Sequence, residues 1–393
     1  MRADAAEAGR RLEVREAARG WQRAGAIDEA TRARIDATFP DDRRRLGPVF
    51  RVLVFGFTIV AASSCFGVFG LVMAAGGERA GAALLTLFGL ALLAATEYQI
   101  GPLRRAQAGA EAATAFLGLV YLTGGLLWTL FEGSRGREDV AINTGLVLVA
   151  LVFGTAAWRW GYTIFAGAAF VAFLLLLARG PGGRVLWVVV PLVTTPLLLR
   201  AGDAIGLAPA HRRCAQAGAV LGLVFLYLAV HVGSWDLGLV EMVTGHSRGE
   251  PGAPGALRPL SVAATALVPA LTLASGIAAR RRLLINLGLV GVLASLVTLR
   301  FYVHLAPLWV VLILGGTVAL GLALVLRRIL DTGAGHERYG FTAEPLYADP
   351  DRRSALEVAA GVVSLTPAAK RIERPGFQGG GGRYGGGGAT GTF

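Results

Sequence analysis

Few residues in this chain have the type and spacing to do chemistry. Ser275-Gly276 lies inside an apolar run, the setting of an intramembrane serine protease. That chemistry needs a histidine at similar depth on a second helix. The nearest histidines, His231 and His304, fall near the ends of their runs. Neither His-Glu-x-x-His nor Gly-x-Ser-x-Gly occurs, and the glycine-rich tail lacks the Lys-Ser/Thr pair of a phosphate-cradling loop. Asp236, Glu241 and His246 have metal-ligand types. Their spacing matches no zinc site, and the Gly/Pro stretch Gly249–Gly255 beside them reads as a connector. Glu97 and Glu111 lie near the ends of apolar runs, whereas a proton relay or ion pathway keeps its ionisable group at depth. Paired histidines for haem are missing. No catalytic residue, metal or cofactor is implied.

Hydroxyls and amides give a sharper candidate. Ser63-Ser64-Cys65 falls mid-way along the first apolar run, with Gly67 and Gly70 close by. Pro191 and Thr194-Thr195-Pro196 interrupt the sixth. Ile142-Asn143-x-Gly145-Leu146-Val147 in the fourth run recurs as Ile285-Asn286-x-Gly288-Leu289-Val290 in the ninth, each with an arginine at the run's end, Arg159 and Arg300. Spans five apart run in opposite directions, as an inverted 5+5 repeat requires. Broken helices lined by hydroxyls are how many secondary transporters build a midplane site. That reading assigns ligand contacts to Ser63, Ser64, Thr194, Thr195, Asn143 and Asn286. Against it, Leu, Val and Gly are so abundant here that a six-residue match arises by chance. Ser and Thr in a span also bond the i−4 carbonyl or pack helices closely.

The elements that would position these residues follow from composition. Of 393 residues, 54% are apolar and 16% charged, and mean hydropathy is +0.58. A soluble domain averages about 25% charged residues. Both a soluble cytosolic enzyme and a disordered chain are excluded. Ten apolar runs each suit a membrane helix: 49–75, 80–98, 110–131, 139–158, 161–178, 184–200, 214–233, 259–279, 283–303 and 306–327. The fold expected is all-α, a polytopic helical membrane protein, because lipid offers backbone groups no partner outside a helix or closed barrel. Cys65 and Cys214 fall at or within apolar runs, so no disulfide framework is expected.

Net charge is +12, and Lys370 is the one lysine beside 37 arginines. Anionic lipid explains this excess better than nucleic acid does. Eleven arginines precede Gly47, and a further eleven fall in the loops on the same side, against eight in the opposite loops. Both termini are therefore expected to be cytoplasmic, in a bacterial inner membrane. Residues 1–48 read as a helical hairpin: Val14, Ala17, Ala18 and Trp21 mark one face, Gly25-Ala26 a turn, Asp28 an N-cap, and Ile35 and Phe39 an opposing apolar face. It serves either as a partner-binding or sensory module or as a positively charged topogenic segment on the lipid surface. After the membrane domain (49–327) comes a tail (328–376) in which Ser354-Ala355-Leu356-Glu357 is a capping box. Residues 377–393 are glycine-rich and expected to be disordered unless bound. Phe377, Tyr384 and Phe393 are spaced as anchors of an extended peptide.

Trp21-x3-Gly25-x-Ile27-x7-Ile35, set before the first run, resembles a family of bacterial polytopic inner-membrane proteins defined by a domain of unknown function. Ile285-Asn286-x-Gly288-Leu289-x10-Arg300-Phe301-Tyr302 is similar to a late membrane segment of such proteins. The resemblance covers roughly the first 75 residues and one later span. It implies location and topology and no activity. The tail's glycine runs 379–382 and 385–388, split by Arg383-Tyr384 and closed by Ala389-x-Gly391-x-Phe393, resemble the C-termini of bacterial membrane proteins with a phosphatase-like domain. That domain is missing here, so only a binding habit carries over.

Three readings result. The leading one is a non-enzymatic membrane scaffold or sensor that binds a cytoplasmic protein through Trp21 and Ile35 or through Phe377, Tyr384 and Phe393. The alternative is a small-molecule transporter or flippase using the hydroxyl site. An intramembrane enzyme has only Ser275 in its favour.

Overall fold

The computed structural model describes residues 3–23, 25–41, 43–73, 77–105, 108–134, 137–180, 182–238, 255–303, 308–331, 337–338 and 341–342. Glu241, His246, His304, the capping box at Ser354 and the aromatic anchors Phe377, Tyr384 and Phe393 lie outside the described residues.

The chain is an all-α polytopic protein. Two amino-terminal helices, α1 (Ala3–Arg23) and α2 (Glu29–Thr38), precede the apolar ones. These are α3 (Pro48–Met73), α4 (Gly77–Ile100), α5 (Ala110–Gly133), α6 (Glu138–Trp160), α7 (Thr163–Ala178), α8 (Gly183–Asp203) and α9 (Pro209–Val230). After the short α10 (Val232–Asp236) come α11 (Arg258–Ala278), α12 (Arg282–Val303) and α13 (Leu308–Asp331). Each of the ten apolar runs coincides with one helix. Among the described residues, eight are long and apolar enough to cross a bilayer, and α7 is apolar but has 16 residues. At 1.5 Å per residue, the 21 residues of α8 span about 31 Å, the thickness of a hydrocarbon core. A two-residue antiparallel pair, β1 (Glu337–Arg338) with β2 (Phe341–Thr342), follows α13.

Packing sorts the spans into consecutive hairpins. The tightest pairs are α4 with α5, α6 with α7, α8 with α9 and α11 with α12. Their connections, 101–109, 161–162, 204–208 and 279–281, all turn at one end of the bundle, here the tip end. Adjacent tips are linked there. Glu97 accepts from Arg159 Nε at 2.8 Å and from Trp160 Nε1 at 2.9 Å. His211 bonds the Trp158 carbonyl at 3.0 Å, and Arg281 pairs with Asp203. Tyr98 and Trp158 are exposed at the tip end, and Trp128 and Trp309 toward the far end, positions that suit the two interfaces of a bilayer.

Glycine makes these hairpins possible. A Cβ on Gly89 would sit 2.9 Å from the Gly118 carbonyl oxygen, and one on Gly288 would sit 2.5 Å from the Leu273 nitrogen. Lipid tails are as apolar as leucine, so helix pairs gain by close backbone approach, which small residues allow.

This order does not fit the expected 5+5 inverted repeat. A shift of five spans is odd, and the close pairs come in twos. It would map the tight α4–α5 pair onto α9 and α11, which touch only lightly, and the tight α8–α9 pair onto α3 and α4, which also pack loosely. The Asn-x-Gly match has a local cause. Gly145 would crowd Leu127 of the preceding span, as Gly288 crowds Leu273 of its own preceding span. The shared glycine is a packing position.

Candidate partner-docking face

The amino-terminal hairpin forms as its sequence predicts. Gly25 takes φ +72°, the left-handed turn that ends α1. Asp28 caps α2 by accepting from the Thr31 backbone N–H at 2.8 Å. Those Thr31 hydrogen bonds hold the Asp28 carboxyl below its ordinary value. The two helices are knitted by polar contacts. Arg15 Nε donates to Asp36 at 3.0 Å, Arg32 Nε to Asp36 at 3.3 Å, and Arg32 Nη1 to Gln22 at 3.0 Å. Burial alone would raise the Asp36 carboxyl; the two guanidinium groups outweigh it and hold it below the usual range. Ile35 is half-buried, but Trp21 is 51% exposed and so is not packed into an apolar α1–α2 seam as the sequence face suggested. Ala18 of the same face is fully buried.

The hairpin does not hang free. Arg43, with its side chain 4% exposed, donates to the Ile100 carbonyl at the end of α4 (2.8 Å) and to Asp4 of α1 (2.7 Å). Glu13 of α1 pairs with Arg212 at the start of α9. Gly9 lies against Pro209, whose ring a Cβ there would meet at 3.7 Å. The hairpin therefore straps the α4–α5 tip to the α8–α9 tip, and Trp21 stays outward at its distal end.

The hydroxyl and amide candidates disperse. Ser63 accepts from Tyr121 of α5 at 3.3 Å, beneath an aromatic group in which Tyr121 stacks on Phe66 at 4.6 Å. Ser64 is exposed on α3 and donates to the Val60 carbonyl. Thr194 donates to the Val190 carbonyl. Thr195 is buried against Gly222 of α9, and its hydroxyl has no hydrogen-bond partner among the described residues. Because α3 packs on α5 and α4 while α8 packs on α9 and α7, no packing of α3 on α8 among the described residues gathers the serine pair and the threonine pair into one site. Asn143 accepts from Arg179 Nε at 2.6 Å, next to the Arg179–Asp139 ion pair, whereas Asn286 is exposed. Ser275 is exposed and donates to the Thr272 carbonyl.

Three polar clusters lay hidden in the sequence. The largest joins α9, α11 and α12 near the far end. Tyr227 bonds Ser295 at 2.9 Å, His231 Nε2 bonds Thr298 at 3.1 Å, and the Val232 N–H donates to Thr265 at 3.0 Å. The Thr298 hydroxyl also lies within hydrogen-bond distance of the Ala294 carbonyl, at 2.9 Å. His231 breaks the helix between α9 and α10. Ser261 and Thr265 satisfy the freed backbone, Ser261 by donating to Val230 at 2.5 Å. The second is Arg184, buried at the start of α8. It donates to the Ala229 carbonyl at 3.1 Å and Ser234 at 3.0 Å, and lies 3.7 Å from the Trp235 ring, sealing the end of α9. The third is Glu111, fully buried, whose Oε1 accepts from the Ala108 N–H at 2.8 Å ahead of α5. Thr96 and Gln99 both hydrogen-bond Thr114 in the same α4–α5 seam, Gln99 Nε2 as donor. The signal for the first was present, as Tyr227/His231, Ser261/Thr265 and Ser295/Thr298 each recur at helical spacing. Their convergence required the fold.

Among the described residues, no three His, Cys, Asp or Glu side chains gather as a metal site, and Cys65 and Cys214 are free. No protein-family model, curated protein or solved structure matches this chain.

Proposed function

We propose that this chain is a scaffold or sensor of the bacterial inner membrane, without catalysis of its own, with both termini cytoplasmic. Its amino-terminal hairpin presents Trp21 to a cytoplasmic protein. The observation that carries this reading is the docked hairpin: two buried or half-buried arginines, Arg43 and Arg212, hold α1 on the tips of the bundle while a large aromatic residue remains outside. Exposed tryptophan beside arginine is the composition of interface hot spots. The arginine excess on the hairpin side supports the orientation. The tail anchors Phe377, Tyr384 and Phe393 are a second contact in the same proposal.

The test is site-specific photocrosslinking in intact cells, with a photoreactive residue replacing Trp21 in the full chain and, as a lipid-belt control, Trp158. A discrete protein adduct at Trp21 that is missing at Trp158, and that changes in yield in Arg43→Ala, supports the reading. No adduct at Trp21 above the control overturns it.

A further inference from the structure

Two of the four tips meet in a basic cluster. Arg281, between α11 and α12, pairs with Asp203 at the end of α8, which brings connection 279–281 against connection 204–208. The same two tips also carry Arg200, Arg213, Arg280 and Arg282, all exposed and none paired with a carboxylate among the described residues. Arg212 next to them is taken up by Glu13. Asp203 is thus the one acidic group of the pair of tips, and it serves Arg281.

The backbone adds a separate observation. Among the described residues, the only non-glycine residues with positive φ are Arg104 (+48°) and Arg280 (+53°), both following the last turn of a helix at a tip. Such a position favours glycine, and an L side chain there costs about 1–2 kcal/mol. Arg280 holds it with no protein partner for its guanidinium among the described residues, so nothing within the fold explains the arginine.

Depth and neighbours identify what would. α8 is as long as a hydrocarbon core is thick, which places its last turn at the headgroup layer. Ile205, 90% exposed, projects from the same connection, with Leu207 also exposed. An apolar side chain flanked by unpaired guanidinium groups at that depth suits a molecule with an acyl boundary and a phosphate. We propose that the joined α8–α9 and α11–α12 tips bind the headgroup of an anionic phospholipid: Arg280 and Arg282 take the phosphodiester, and Ile205 inserts beside the upper acyl chain.

The test uses the full chain with Cys65 and Cys214 replaced by Ala and Ile205→Cys carrying a bimane fluorophore. It is reconstituted in vesicles containing dibrominated phosphatidylglycerol or dibrominated phosphatidylcholine. A brominated lipid quenches the fluorophore only in contact with it, so the two vesicle types give the local preference for the anionic lipid. Phosphatidylglycerol is expected to quench preferentially, with the preference falling roughly fivefold for each of Arg280→Gly and Arg282→Gln. Arg280→Gly removes backbone strain, so a fold defect does not account for its loss. Equal quenching by the two lipids, or an unchanged preference in both variants, overturns the proposal. Displacement of the lipid by millimolar inorganic phosphate also overturns it, because the site would then be one for free anions.

Discussion

Replacing Arg43 with Ala should release the amino-terminal hairpin without disturbing the membrane domain. The guanidinium makes two contacts of unequal worth. Its bond to the Ile100 carbonyl is short and buried, and a hydrogen bond from a charged donor contributes about 1.5–3 kcal/mol. Its partner Asp4 is 55% exposed, so that ion pair adds at most about 1 kcal/mol. A net loss of about 2 kcal/mol moves the docking equilibrium roughly thirtyfold. α2 has 10 residues and is marginal as an isolated helix, so an undocked hairpin also frays. Hydrogen exchange by mass spectrometry on the full chain in nanodiscs reads this directly. Amides of α1 and α2 should exchange roughly thirtyfold faster, and those of α5 to α12 as before. Arg45→Ala, which removes only a local pair with Asp41, should leave the hairpin protected. Unchanged exchange in α1 would show that Arg43 does not tether the hairpin. So would lost protection throughout α4, because Arg43 would then act as a cap of that helix and not as a tether.

Three further outcomes follow from the geometry. Asp28 and Asp36 have carboxyls held below their ordinary values, so their contribution to hairpin stability is complete above the unfolded value and is lost as pH falls through the lowered one. Spin-label distances between α1 and α2 should be constant from about pH 8 to about pH 5 and broaden only below about pH 4; broadening near neutrality would contradict this. Thr195→Val removes a buried hydroxyl that has no partner among the described residues, so the thermal midpoint should hold or rise, within about 1 kcal/mol. A loss well beyond that would show that the hydroxyl is engaged. Gly288→Val drives a side chain into the Leu273 backbone, which cannot yield, and should destabilise by about 1–3 kcal/mol, whereas Gly67→Ala on the open face of α3 should leave the melting curve unchanged. Equal effects of the two would refute glycine-mediated hairpin packing.

Sequence alone determined the fold class, the ten helices and the outline of the amino-terminal hairpin down to the Asp28 cap and the Gly25 turn. Each of these is a local property. A run of about 20 apolar residues must satisfy its own backbone in lipid, and a capping aspartate acts within four residues of itself. Which helices pair was not legible. Glycine is abundant in nearly every span, and only the packed structure separates Gly89 and Gly288, pressed against a neighbouring backbone, from Gly56 and Gly67, which face open space. The same limit explains why Ser63 and Thr194 looked like one site. Their types are polar, but hydroxyls on α3 and α8 bond within their own seams, and whether two seams meet depends on the order in which hairpins stack. Conversely, Tyr227, Thr265 and Ser295 drew no notice singly, since each is an ordinary polar residue in an apolar run, and His231 stood out only as a histidine too near a span end to serve Ser275. Three helices had to converge before their protons and lone pairs matched. The strap made by Arg43 and Glu13 is likewise a tertiary fact: the sequence marked them only as charged residues ahead of the first span, and the docked hairpin decided which helix ends they hold.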